Sequence, residues 1–146
     1  MVSMMKRSRR EEGFTLIEIM VVVVIIAVVA AIVAPNVFKR VDVAKVNAAK
    51  GQIAAFGSAL GNYRLDTGDF PKGAQGLQAL QQDPGVEGWN GPYLMGEVPK
   101  DPWGREYVYN YPSGNADSYE IICYGKDGQP GGEKENRDIV SWKLNE

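Results

Sequence analysis

A single carboxylate, Glu18, stands near the start of an apolar run that covers residues 14–34. The run is 21 residues long, enough for a helix to cross a hydrocarbon layer about 30 Å thick. An acidic residue in such a segment costs about 2.5–3.5 kcal/mol at mid-membrane and less toward the interface. A plain anchor gains nothing from that charge, so a partner is expected to compensate it. A nearby candidate is a new α-amino group, created if the chain is cut between Gly13 and Phe14.

The residues ahead of the run set its orientation. Residues 1–13 carry Lys6, Arg7, Arg9 and Arg10 against Glu11 and Glu12. An excess of basic residues keeps a flank in the cytoplasm, which puts the rest of the chain across the membrane. A secretory signal peptide fits poorly, because its apolar region is about 7–15 residues long and ends in a small-residue cleavage site. Here the run is longer and Pro35-Asn36 comes directly after it. Ser8-Arg9-Arg10 hints at a twin-arginine signal, but Glu11, Glu12 and Gly13 stand next in place of an apolar pair. A simple signal-anchor explains the charges and the run, but not Glu18.

With 146 residues the chain is one domain's worth, and the residues beyond the run suffice for a small core. Four of the 16 basic and two of the 18 acidic residues precede Phe14, leaving 12 against 16 beyond it. That acidic balance argues against a nucleic-acid partner, which needs a basic surface. There is no histidine, which removes the commonest general base and metal imidazole. Cys123 is the only cysteine and has no partner for an internal disulfide. Its neighbours Tyr119, Ile121, Ile122 and Tyr124 mark it as a small core residue.

The helical pattern continues past the apolar run. Val46, Ala49, Ile53, Phe56, Leu60 and Tyr63 recur at spacings of three and four, a narrow stripe on one helix face. One helix is therefore expected from about Phe14 to about Asp66, with Pro35 interrupting it. Beyond it, a turn at residues 68–71, a short helix over 76–82 with Leu77 and Leu80 inward, and a loop over 85–104 are expected. Trp89, Pro92, Tyr93, Leu94 and Trp103 are available there to cover the core. Residues 105–111, 118–124 and 138–144 read as short strands separated by turn signals. The expected class is α+β. A long N-terminal helix, membrane-spanning in its first half and amphipathic in its second, packs on a small C-terminal antiparallel sheet. The expected domains are a cytoplasmic leader at 1–13, a hydrophobic helix at 14–38 and a globular head at 39–146.

A second functional signal lies in the loop over residues 124–138. Asp127 and Asp138 flank the Gly-rich stretch 128–132. Calcium takes six to eight oxygen ligands from carboxylates and carbonyls in a flexible cage, and a Gly-rich loop can turn its carbonyls inward. The spacing equally fits an ordinary turn at Asp127-Gly128 and a strand cap at Asp138. It is not an EF-hand, because no Asp or Asn occupies the alternating positions after Asp127.

The junction Gly13-Phe14-Thr15-Leu16-Ile17-Glu18, succeeded by an apolar helix containing Pro35, resembles the class III signal of type IV pilins and pseudopilins. The head narrows this. Asp69-Phe70-Pro71, Gln75-Gly76-Leu77-Gln78-Ala79-Leu80, Gly91-Pro92-Tyr93-Leu94, Pro99-Lys100-Asp101-Pro102-Trp103-Gly104 and Gly125-Lys126-Asp127-Gly128, with Asp138-Ile139, occur in that order. Over essentially the whole chain this resembles the major pseudopilins of type II secretion systems.

The resemblance implies a pilin-like fold and a filament subunit with no catalytic site. It implies that a prepilin peptidase cuts after Gly13 and N-methylates Phe14. Glu18, with Thr15 and Pro35, would serve assembly by meeting the N-terminus of a neighbouring subunit. The implied partners are further copies of the chain, minor pseudopilins, the inner-membrane assembly platform and the membrane itself. The head would lie in the periplasm. The resemblance also implies a structural Ca2+ in the loop, with Asp127 and Asp138 as side-chain ligands and backbone oxygens near Tyr124, Gln129 and Glu133 as further ones. Lys126 departs from the family, many of whose members have a small apolar residue there, and Tyr124 stands where Leu is common. Adhesive or motility pilins are a weaker match, since they commonly close a C-terminal disulfide loop. A membrane-anchored enzyme has no motif to support it.

Overall fold

The computed structural model describes residues 13–114 and 118–145. The basic residues of the expected leader, and Asn115 of the expected turn, lie outside the described residues. The chain divides into two compact units, residues 1–39 and 40–146.

Helix α1 spans Leu16–Thr67 and runs through Pro35 without a break. In the first unit its apolar side chains are exposed: Phe14 is 82% exposed and Ile26 62%. The apolar window of this helix is long enough to span a membrane, and none of it is buried. Contiguous bare apolar surface of this extent marks a membrane or protein-contact segment.

In the second unit the same helix behaves as the stripe predicts. Ala49, Ile53, Phe56, Leu60 and Tyr63 are all buried, and Val46 packs at the margin. They face a 3-stranded antiparallel sheet in the order β1-β2-β3, with β1 at Val108–Asn110, β2 at Glu120–Cys123 and β3 at Ile139–Val140. Val108 pairs with Ile122, and Cys123 with Ile139. Ile121, Cys123 and Ile139 point into the core. Phe56 meets Tyr107 edge-on at 5.2 Å, and Phe70 lies between Tyr111 and Tyr119. Gly57 is a packing device. A Cβ there would lie 2.9 Å from the Tyr119 hydroxyl, so the missing side chain leaves room for the end of the Tyr119 ring, just ahead of β2.

Besides the expected interruption at Pro35, which the helix passes without a break, two expectations are corrected. The short helix over 76–82 is a 3-10 segment over Gly73–Leu80, interrupted at Gly76, whose φ of 45° and ψ of −125° are not helical. Leu77 and Leu80 are nonetheless buried. The strands are shorter than their alternation suggested. After Val140 the side chain of Ser141 takes over the pairing: its Oγ accepts from the Ile121 backbone N–H at 3.1 Å while its own N–H donates to Ile121 O at 3.0 Å. Trp142 is then left 56% exposed. Of the loop residues expected to cover the core, Trp89, Tyr93, Leu94 and Trp103 pack on it, and Pro92 is exposed.

Candidate functional site

At the start of α1, Thr15 and Glu18 form a reciprocal pair. The Thr15 backbone N–H donates to Glu18 Oε2 at 3.1 Å, the Thr15 hydroxyl reaches the same oxygen at 3.3 Å, and the Glu18 N–H donates to Thr15 Oγ1 at 3.2 Å. This is a capping box, in which a Thr and the Glu three residues on satisfy each other's free backbone donors. The expectation that a plain anchor gains nothing from Glu18 is therefore too strong. The carboxylate has a local use, legible in Thr15-x-x-Glu18 ahead of an apolar run. Both bonds go to Oε2, one oxygen of a carboxylate that has two. Gly13, Phe14 and Thr15 precede the helix in exposed, irregular backbone, an accessible place for a peptidase. Pro35 lies in the helix interior, twenty residues from this end.

The loop over 124–138 is built from close backbone approaches. A Cβ on Gly125 would lie 2.8 Å from the Asn136 carbonyl carbon, and one on Gly132 would lie 2.5 Å from Asn136 O. Only glycine lets the two limbs meet. The Gly128 N–H donates to Tyr124 O at 3.1 Å and the Lys126 N–H to Glu135 O at 2.9 Å.

The expected metal residues differ in what they do. Asp127 Oδ1 accepts the Gln129 N–H at 3.1 Å, a local turn. Asp138 Oδ2 accepts the Gly131 N–H at 2.9 Å, while Asp138 Oδ1 is buried without a hydrogen-bond partner. A buried, unpartnered carboxylate oxygen is costly unless a cation meets it. Glu133 is exposed and its carbonyl accepts from Asn136 at 3.0 Å. Among the described residues no group of three His, Cys, Asp or Glu side chains converges. The groups the loop could offer a cation are all oxygens: the Asp127 and Asp138 carboxylates and backbone carbonyls. That chemistry fits a hard cation such as Ca2+ and not a thiolate- or imidazole-seeking metal.

Two ties to this loop went unforeseen. Lys126, the departure from the family pattern, has its own partner in Asp42 of α1 at 2.9 Å, and that contact raises its pKa. Arg105 donates through Nη2 to the carbonyls of Gly125 and, at 3.1 Å, of Lys126. Both join residues far apart in the chain, and no local pattern announces them.

Residues 36–142 match the family model described as type II secretion system (T2SS), protein G, and residues 8–34 match the prokaryotic N-terminal methylation motif. The type II secretion system core protein G of Pseudomonas aeruginosa is 44% identical over 138 residues, covering 92% of this chain and 96% of that protein. The chain belongs to the type II secretion protein G family. Another member, from Vibrio cholerae, is 40% identical over 96% of this chain and 97% of its own length. The crystal structure of the major pseudopilin from the type 2 secretion system of enterohaemorrhagic Escherichia coli aligns with a TM-score of 0.59 at 31% identity. It covers 74% of this chain and 95% of that one. Family membership thus extends through the methylation motif, the long helix and the small sheet. With the exposed apolar helix it points to membrane anchoring.

Proposed function

We propose that this pseudopilin is the repeating subunit of a type II secretion pseudopilus, a helical filament that drives folded proteins through the outer membrane. The observation that carries the proposal is the bare apolar face of α1, with the Gly13-Phe14 junction and the methylation motif at its start. Such a helix is stored in a bilayer and then buried against its neighbours in a filament. Residues 1–13 are the cytoplasmic leader, cut after Gly13 by a prepilin peptidase, with Phe14 then N-methylated. Residues 14–38 cross the inner membrane and residues 39–146 form the periplasmic head. The subunit is structural and has no catalytic site. Its partners are further copies, minor pseudopilins and the inner-membrane assembly platform. The loop over 124–138 takes a structural Ca2+ through Asp127 and Asp138, with Tyr124, Gln129 and Glu133 contributing backbone oxygens. The unpartnered Asp138 Oδ1 is what favours this over a solvated turn.

Glu18 has two roles in this reading, capping its own helix and meeting the Phe14 amine of a neighbour, and one pair of variants separates them. Glu18→Gln keeps the capping acceptor, since Gln also serves in a capping box, and removes the charge. Glu18→Ala removes both. Both variants are expected to insert in the membrane and fail to form filaments or secrete. Normal filaments from Glu18→Gln would reduce Glu18 to its capping role.

A further inference from the structure

Asp101 is buried at 5% exposure, yet it belongs neither to the helix start nor to the oxygen set of the loop. Its Oδ1 accepts the backbone N–H groups of Trp103 at 2.9 Å and of Arg105 at 2.8 Å. Its own N–H donates to Arg105 O at 2.7 Å. These bonds close residues 101–105 into a tight turn. Its Oδ2 lies 3.4 Å from Cys123 Sγ and 3.8 Å from Arg105 Nε. A carboxylate at this depth is destabilising without a positive partner, and Arg105 supplies the charge by proximity, its buried Nε making no hydrogen bond. The far end of the same guanidinium reaches the carbonyls of Gly125 and Lys126. The loop backbone lies directly against it: a Cβ on Gly128 would be 2.8 Å from Arg105 Cζ.

We infer that Arg105, anchored on buried Asp101, is the positioning residue of the 124–138 loop. Its guanidinium gathers the Gly125 and Lys126 carbonyls and shapes the entry limb before any ion arrives. Carbonyl dipoles brought side by side repel, and a Gly-rich segment loses much conformational entropy on ordering. A guanidinium opposes both effects, because its Nη2 carries two N–H donors and meets both carbonyls from a single nitrogen. With the limb already set, a cation at Asp127 and Asp138 has less backbone to order, and preorganisation of that kind raises affinity. Lysine in the same place keeps the charge and loses the rigid plane that fixes Nη2 relative to the Asp101 end.

The metal readout of this inference rests on the calcium reading, and the backbone readout does not. The test uses the full chain in detergent micelles, wild type against Arg105→Ala, Arg105→Lys and Asp101→Asn. Calcium binding is measured by titration calorimetry. In chelator, hydrogen exchange is measured at the Lys126 and Gly128 amides, which bond to Glu135 O and Tyr124 O. The expected result is a loss of calcium affinity of about tenfold or more in Arg105→Ala, the range seen when a residue that orients metal ligands is removed. Lysine should restore part of it. The two amides should exchange faster in Arg105→Ala even without calcium, and Asp101→Asn should shift both readouts the same way by less. Wild-type affinity and unchanged exchange in Arg105→Ala would overturn the inference, and so would affinity that rises. If Arg105→Ala does not fold, Arg105→Lys and Asp101→Asn decide it by the same two readouts. A wild-type chain that binds no calcium would remove the metal reading, and exchange in chelator would still judge the clamp.

Discussion

Removing calcium should lower the melting temperature of the head. A ligand that binds only the folded state stabilises it by about 2.7 kcal/mol at a hundredfold excess over Kd. The unit that holds the loop spans residues 40–146. For a domain near that size each kcal/mol moves Tm by about 4–8 °C, so chelation should lower it by roughly 10–20 °C. Several ties hold without the ion, so the head should still fold in chelator: Lys126 to Asp42 at 2.9 Å, Gly131 N–H to Asp138 at 2.9 Å, and the Arg105 contacts. The loss is still felt in the sheet, since β3 begins at Ile139, directly after Asp138. The assay is a thermal melt of the full chain in detergent, read by near-ultraviolet circular dichroism, in chelator, Mg2+ and Ca2+. Magnesium should substitute poorly, since it demands a tight octahedral shell and releases water reluctantly. Asp138→Asn should melt in calcium as the wild type melts in chelator. Superimposable wild-type melts in all three conditions would refute the reasoning and leave a Gly-rich turn.

Packing and burial give two further tests. Gly51→Ala and Gly61→Ala, where a new Cβ meets nothing within 4 Å, should each stabilise the head by up to about 1 kcal/mol in denaturant melts. Gly57→Ala, which must push the Tyr119 hydroxyl from 2.9 Å, should gain nothing or destabilise, and an equal gain at all three sites would refute the close approach. Burial pushes the Cys123 thiol from 9.0 up to about 11, with the nearby Asp101 adding to it. The fold therefore favours the neutral thiol, and this contribution is full below pH 9 and lost as pH rises through about 11. It amounts to on the order of 2–3 kcal/mol. Denaturant melts between about pH 8 and 11 should show a steeper alkaline loss in wild type than in Cys123→Ala, and parallel curves would contradict it.

Much of this was legible in the sequence because it rests on repetition. The stripe from Val46 to Tyr63 has helix spacing, and its buried members are the residues that spacing selects. The apolar run and the Gly13-Phe14 junction are equally local. The features that were not legible depend on contacts across the chain. Strand β3 stops at Val140 because the Ser141 hydroxyl finds Ile121, which alternation cannot reveal. Gly76 breaks the short helix beside the Tyr109 ring, 3.4 Å from where its Cβ would be. Asp101 was visible only as part of an ordered motif, and its burial and hold on Arg105 appear once residues 101–105 fold back. The capping box is different: Thr15 and Glu18 stand three apart, so their pairing is readable from local spacing alone.

Cut after Gly13, this chain should become a filament subunit. The most direct measurement is the intact mass of the chain recovered from fibres sheared off cells that carry a prepilin peptidase and the secretion assembly machinery. The expected result is a fibre-bound chain that starts at Phe14 and carries one added methyl group, and no fibres when the peptidase is absent. A chain that stays in the membrane fraction, or fibres whose subunits retain residues 1–13, would contradict it.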